Sequence, residues 1–369
     1  MTFGGAACDA CLRRAWLLGR LSGHIEIARR AHAVLPELLA LPSSRLLAAV
    51  GGTYREEIEA QLARVDIEEQ RRKAITAGLA VTCRHDEAYP PQLRDAGDAP
   101  AALYVAGRLE ALPQIADPDQ RTIAIVGARR ASREGLEVAR ALGRDLALAG
   151  VPVISGMALG VDAAAQRGAL DGGGLSVAVL GGGADVAYPP SKARLHDALL
   201  ERGLVVSELP PGTSPRRWTF PARNRVIAAL ADLTVVVEAA ERSGSLITAD
   251  LALRLGRDVA AVPGSVVSPQ TAGSNALLRD GATLVRGVDD VLDALYGAGA
   301  APSVPRGAGE TLEPQLVEML DVIRSGHTTI EALATATGDD VSTVLIGLTE
   351  LELRGLVQRE PGGRYAVRL

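Results

Sequence analysis

Ile123-Ala124-Ile125-Val126-Gly127-Ala128-Arg129-Arg130-Ala131-Ser132 reads as a buried strand that ends in a small-residue loop carrying arginines. An unbroken apolar run of this kind fits a parallel strand covered on both faces. Working outward, Val/Ile/Leu-rich runs recur at 152–155, 176–180, 204–207, 233–237, 259–262 and 283–285. Helical stretches at 135–149, 160–170, 223–231, 244–256 and 288–295 lie between them. This alternation predicts a doubly wound α/β domain over 121–296.

The flanks read differently. Residues 1–75 carry apolar residues at three- and four-residue spacing through Leu12 to Leu21 and Leu35 to Val50, which predicts a small helical domain. Residues 76–120 are Pro-rich and read as a connecting segment with one short strand candidate, Leu103-Tyr104-Val105. Residues 297–308 have linker composition. Helical patterns at 312–325, 328–336 and 340–354, followed by strand-like residues around a Pro-Gly-Gly turn, predict a winged helix over 309–369.

The totals bound the function. A chain of 369 residues accommodates two or three domains. A net charge of -5 counts against a generic basic coat for nucleic acid and leaves room for a local basic pocket. Three cysteines do not make a disulfide framework. The N-terminus lacks a basic region followed by an apolar core, and no apolar run is long enough for a bilayer, so the expectation is a cytoplasmic protein without membrane contact.

Several chemistries lack their parts. Gly127 is followed by Ala128-Arg129-Arg130 rather than the Gly-x-Gly-x-x-Gly of a nicotinamide-binding domain, and the second strand ends at Ser155-Gly156 without an acid for a ribose. No lysine follows a glycine, which excludes a Walker A loop, and no Gly-x-Ser-x-Gly or His-Glu-x-x-His run occurs. What remains is a set of loops at the carboxyl ends of the strands, where doubly wound sheets bind ligands. These are Gly127 to Arg130, Ser155-Gly156-Met157-Ala158, Gly181 to Asp185, Ser207 to Gly212, and Ser243-Gly244 at a helix start. Residues 209–231 contain no acid, yet hold Arg216, Arg217, Arg223 and Arg225 interleaved with Trp218 and Phe220. Phe220-Pro221-Ala222-Arg223-Asn224-Arg225 is expected to place Arg, Asn and Arg in the first turn of a helix, a phosphate-binding shape. Cations for phosphates and rings for bases are the physics of single-strand binding. Taken alone, the two aromatics read as anchors of the loop in the core, and Asp162 as a helix first-turn or capping acid.

These motifs, in this order, resemble the DNA-processing protein A family, DprA, also called Smf. The match runs through Val126-Gly127-x-Arg129, Ser155-Gly156-x-Ala158-x-Gly160-x-Asp162, Gly181-x-Gly183-x-Asp185-x-x-Tyr188-Pro189 and Ser207-Glu208-x-Pro210-Pro211-Gly212. It continues through Phe220-Pro221-x-Arg223-Asn224-Arg225-Val226-Ile227, Ser243-Gly244-Ser245-Leu246, Val262-Pro263-Gly264 and Gly273-x-Asn275-x-Leu277. The resemblance implies an extended Rossmann-like sheet, an N-terminal helical (SAM-like) domain and a C-terminal winged helix. It also implies binding of single-stranded DNA, protection of that DNA, loading of the recombinase RecA during natural transformation, and a homodimer. By position, Arg129, Ser155, Gly156, Arg223, Asn224 and Arg225 fall on phosphates. Gly127, Met157, Ala158, Arg216, Phe220, Ser243 and Gly244 complete the candidate DNA site, with no catalytic residue. The chain departs from the family pattern at Glu134, Gln166 and Lys192.

Further readings accompany this one. The rival activity is that of a nucleoside-monophosphate phosphoribohydrolase on a related sheet, with Glu238 or Glu208 as catalyst, although its Pro-Gly-Gly-x-Gly-Thr run is missing. A nucleotide-sensing scaffold is a third class. Cys8-x-x-Cys11 and Cys83-x-His85 have the spacing for a structural Cys3His zinc site, or are idle thiols beside a surface histidine. DNA binding itself requires no cofactor. The recognition-helix candidate of the winged helix, Asp340 to Leu353, has no Arg or Lys, so it reads as a protein-contact module rather than a duplex reader.

Overall fold

The computed structural model describes residues 7–31, 34–299, 313–353, 356–360 and 362–367. The chain forms two compact units, Met1–Val304 and Pro305–Leu369. Residues 300–308, most of the stretch read as a linker, lie outside the described residues.

The first unit opens with helices α1 (Asp9–Arg20), α2 (Ser22–Arg30), α3 (Leu35–Ala40), α4 (Ser43–Val50), α5 (Arg55–Ala63) and α6 (Ile67–Thr76). Strand β1 (Ala80–Cys83), helix α7 (Pro91–Arg94), strand β2 (Ala102–Gly107) and helix α8 (Leu112–Ala116) follow. Alternation then begins with β3 (Ile123–Val126), α9 (Arg133–Leu148), β4 (Val153–Ser155), α10 (Val161–Asp171), β5 (Ser176–Val179), α11 (Ala193–Arg202) and β6 (Leu204–Ser207). The second half comprises α12 (Thr219–Leu230), β7 (Leu233–Val236), α13 (Gly244–Arg254), β8 (Asp258–Ala261), α14 (Ala272–Arg279), β9 (Thr283–Leu284) and α15 (Val288–Tyr296).

One sheet takes all nine strands in the order β1-β2-β6-β5-β4-β3-β7-β8-β9. From β3 the chain builds outward through β4, β5 and β6, then returns beside β3 with β7 and builds the other way. The β3 region is therefore the topological switch point, where a crevice opens at the carboxyl ends of the strands. Pairing from β6 to β9 across the sheet is parallel, with β3 matched to β7 from Ile123↔Leu233 to Val126↔Val236. Two antiparallel strands extend the β6 edge, through Tyr104↔Ser207 and Cys83↔Ala102. The stretch 76–120, read as a connector, thus supplies two strands of the main sheet. The strand candidate Leu103-Tyr104-Val105 is the centre of β2, whose residues Ala102 to Ala106 are all buried, whereas β1 had no strand reading.

Apolar side chains cover both sheet faces, with Val126, Ile154, Val206 and Val236 in one cluster and Ile125, Val153, Val235 and Ala260 in another. The N-terminal helices pack on the start of α12 through a cluster of Leu17, Leu21, Ile25, Leu46 and Trp218. Trp218 is 1% exposed, and its indole N–H donates to Ser22 Oγ at 3.0 Å. Helices α9 and α10 approach backbone to backbone. A Cβ on Gly143 would lie 2.1 Å from the Ala165 carbonyl oxygen, and one on Gly168 would lie 2.0 Å from that of Arg140.

The second unit holds helices α16 (Pro314–Arg324), α17 (Ile330–Thr337) and α18 (Val341–Leu353) and the hairpin β10 (Val357–Glu360) and β11 (Arg364–Val367), the predicted winged helix. Leu320, Ile323, Leu333, Val344, Leu348 and Val357 form its core. Among the described residues no helix is long and apolar enough to cross a membrane.

The α9–α10 contact has a direct test. Gly143→Ala pushes backbone against backbone and should cost about 1–3 kcal/mol in denaturant unfolding. Gly23→Ala, whose new methyl meets open space in α2, should instead raise stability by about 0.4–1 kcal/mol.

Candidate nucleic-acid interface

The loops after β3 and β7, Ala158 after β4, and one face of α12 frame a groove of about 920 Å³ at the switch point. Four exposed arginines line it: Arg129 and Arg130 after β3, Arg217 before α12 and Arg242 before α13. None of the four has a carboxylate partner among the described residues. The only acid on the wall is Asp162, which already faces Arg223. Unpaired cations in a concave site concentrate positive potential there despite the acidic total.

An aromatic pair sits among these cations. The Phe220 ring lies 5.6 Å from that of Tyr188, and the Arg129 guanidinium stands 5.2 Å over Phe220. Tyr188 is exposed and Phe220 half-buried. At the far wall α13 begins on the groove. Ser243 caps it by accepting from the Ser245 N–H, and Gly244 leaves open space where a Cβ would be. Free N–H groups at such a helix start suit an anion.

Beneath the groove lies a wired layer. Arg223 is 8% exposed; its guanidinium donates to the Val179 carbonyl at 2.7 Å and lies 3.6 Å from Asp162. Asp162, in the first turn of α10, accepts from the N–H groups of Gly156 at 3.2 Å and Ala158 at 3.4 Å. Burial pushes this carboxyl above its ordinary range, against the pull of Arg223 and the two N–H groups. A Cβ on Gly156 would lie 1.6 Å from Arg223 Nη1, so that glycine makes room for the guanidinium. Met157 adopts a left-handed backbone, φ 54°, with its side chain fully buried. Ser155 Oγ donates to the Ile125 carbonyl at 2.7 Å.

The predicted residues therefore fall in different places. Gly127, Arg129, Ala158, Phe220, Asn224, Ser243 and Gly244 lie on the groove wall, with Arg223 at its floor. Gly127 owes its lack of a side chain to packing, since a Cβ would lie 2.6 Å from Val161. Asn224 is a strut: its Oδ1 accepts from Arg223 Nε at 2.9 Å and its amide reaches the Gly244 carbonyl at 3.4 Å. Ser155, Gly156 and Met157 lie beneath the wall and hold its shape. Arg216 is exposed, but its neighbour Arg217 lines the groove.

Arg225 requires a correction. It is 3% exposed, donates to the Asp98 carbonyl and forms ion pairs with Glu208 and Asp98. Helical periodicity explains this: Phe220, Arg223, Asn224 and Ile227 share one face of α12, and position 225 turns away from it. The expected helix start is corrected as well. α12 begins at Thr219, which puts Arg223 and Arg225 in its second turn, where backbone N–H groups are already engaged. Trp218 at the cap position is not a residue type that signals a helix start.

The rival catalytic acids are committed elsewhere. Glu238 is buried and accepts from the Ser132 N–H at 2.8 Å, which fixes the arginine loop; Glu208 pairs with Arg225. Neither is on the groove wall. Sequence reasoning left Arg130, Arg217, Arg242 and Tyr188 out of the site. Arg242 follows β7 as Arg129 follows β3, a signal in the strand order. Arg29, also on the wall, comes from α2 and has no local signal. Glu26 accepts from Arg29 at 2.9 Å and from the Trp218 backbone N–H at 2.8 Å, and the Arg29 hydrogen bond holds its carboxyl below the usual range.

A separate cluster joins Cys8 and Cys11, at the start of α1, to Cys83, at the end of β1, and His85 just beyond. All four donor atoms lie within 4.8 Å of one another, a set able to hold a metal ion.

The chain thus combines a Rossmann-like sheet with a cationic, ring-lined groove at its switch point, a shape suited to a phosphate backbone. The sequence pattern of the DNA recombination-mediator protein A family matches residues 80–296, and that of the DprA winged helix domain matches 303–363. Protein Smf of Escherichia coli (strain K12) is 39% identical over 289 residues, 76% of each chain. The crystal structure of DNA processing protein A from Streptococcus pneumoniae aligns at a TM-score of 0.61 with 31% identity, covering 77% of this chain and 96% of that one. A structure of DNA processing protein A from Helicobacter pylori, described by its single-stranded DNA binding mode, aligns at 0.51 with 28% identity over 56% of this chain and 92% of that one. The chain belongs to the DNA recombination-mediator protein A (DprA) family.

The two arginine classes predict opposite behaviour. Arg225→Ala should lose about 3–5 kcal/mol in denaturant unfolding, because it removes a buried guanidinium and strands two half-buried carboxylates. Arg129→Ala should change stability by less than about 0.5 kcal/mol.

Proposed function

We propose that the groove binds single-stranded DNA and that the protein acts as a recombination mediator. The observation that carries this is the placement, around the Tyr188–Phe220 pair, of four arginines without a carboxylate partner among the described residues. Arginines track a phosphate backbone, and the rings offer faces on which bases stack. Stacking needs bases that are free of a partner strand, which favours single strands over duplex. The single-stranded DNA binding mode described for the Helicobacter pylori relative supports this reading.

The remaining family properties belong to the same proposal. The protein protects incoming DNA in the cytoplasm, loads RecA onto it during natural transformation, and acts as a homodimer. The winged helix serves protein contact: its α18 exposes Val341, Leu345 and Ile346 and carries no Arg or Lys. The proposal includes no catalytic residue, and the engagement of Glu238 and Glu208 speaks against the phosphoribohydrolase alternative. Any metal at the Cys/His cluster is structural, because that cluster shares no residue with the groove.

Fluorescence anisotropy with a labelled oligonucleotide, and duplex as competitor, tests the proposal. Wild type should prefer the single strand. Arg129→Ala and Arg217→Ala should each weaken binding roughly tenfold, about 1.4 kcal/mol, and reduce the salt slope by about 0.7. Phe220→Ala should cost about 1–3 kcal/mol with a smaller change in salt slope. Equal affinity for duplex, or indifference to all three substitutions, would overturn the assignment.

A further inference from the structure

We propose that Cys8, Cys11, Cys83 and His85 bind one zinc ion that staples the first helix to the edge strand of the sheet. Three thiols and an imidazole form the soft, nitrogen-and-sulfur donor set that zinc favours, and four protein ligands leave no open position for chemistry. The spacing fits a common centre. A tetrahedral ion with ordinary bond lengths places sulfur and nitrogen ligands about 3.5 Å apart. Cys8 Sγ and Cys11 Sγ each stand 3.4 Å from His85 Nδ1, and no pair among the four donors exceeds 4.8 Å. A disulfide would use two thiols and leave the third cysteine and the histidine without a role. All three cysteines are free.

The surroundings are built to hold the donors. The Cys8 N–H points at Cys83 Sγ, 3.4 Å away, an N–H···S contact that orients a thiolate. Ala7 N–H donates to the Val81 carbonyl, so the chain before α1 docks on β1. Arg71 holds the same segment from the other side, donating to the Ala7 carbonyl and pairing with Asp9 at 2.8 Å. Cys11 and Cys83 are buried in the cluster that contains Leu12, Ala15 and Tyr104, where α1 meets the sheet. Cys8 and Cys83 are 75 residues apart. An ion closing so long a loop removes much freedom from the unfolded chain. The ion therefore fixes α1, whose Leu17 and Leu18 pack in the cluster around Trp218.

The test is independent of DNA binding. Full-length protein purified without chelator should contain one zinc per chain by elemental analysis. Apo protein, prepared under reducing conditions, should take up one Co²⁺ with the intense visible bands and thiolate charge transfer of a tetrahedral site, and zinc should displace it. His85→Ala, which alters an exposed side chain, should fold and yet lose its zinc to a chelator that wild type resists. Apo wild type should unfold at a lower temperature than the zinc form. Failure of reduced wild type to take up either metal would overturn the proposal, as would a cobalt spectrum without thiolate bands. A native Cys8–Cys11 disulfide found by mass spectrometry would do the same.

Discussion

The buried pair of Arg223 and Asp162 is the interaction on which the groove depends. Burying two charges is costly unless every remaining hydrogen-bonding group finds a partner. Here the guanidinium also meets the Val179 carbonyl and Asn224, and the carboxylate also takes the N–H groups of Gly156 and Ala158. One ion pair thereby joins the end of β5, the loop after β4, the start of α10 and the second turn of α12. Gly156 follows from this arrangement, because any side chain there would occupy the guanidinium's place. A groove with its floor wired in this way can present flexible arginines at its rim without losing shape.

The N-terminal helices belong to the same construction. Trp218 sits at the entry of α12 and is enclosed by α1, α2 and α4. Glu26 receives the Trp218 backbone N–H and the Arg29 guanidinium together. A carboxylate at a helix start is favoured by the helix dipole, and this one also holds a cation at the groove. Packing of the helical region thus bears on groove shape and groove charge at once. The Arg225–Glu208–Asp98 group holds the opposite side of α12.

Charge is divided along the chain rather than averaged over it. The total is -5, yet the groove wall holds arginines unpaired among the described residues and a single, already paired acid. Elsewhere arginines meet carboxylates at short range, as Arg140 meets Asp171 and Arg286 meets Asp290. In α18 cations are absent altogether. Net charge therefore bears on solubility and nonspecific contact, while the site is set by which arginines lack partners.

Local pattern was enough for the alternating core. Short continuous Val/Ile/Leu runs fit strands buried on both faces, and helical stretches alternating with them favour parallel crossovers. The winged helix followed from spacing in the same way, and the loops at the strand ends were legible because topology brings them to one edge. The strand β1, and the place of β2 in the main sheet, were hidden, since residues between Pro-rich turns become a sheet edge only when β6 offers its free side. Local pattern also could not separate Arg129 from Arg225. Both are arginines in matching motifs, but one ends on an open rim and the other is turned by helical phase toward two acids distant in sequence. Cys8 and Cys83 met for a comparable reason: β1 had first to dock beside β2. The sequence by itself determined the fold class, the family and the loops that face a ligand. Only the tertiary structure decided which arginines are free, because freedom depends on partners that lie far along the chain.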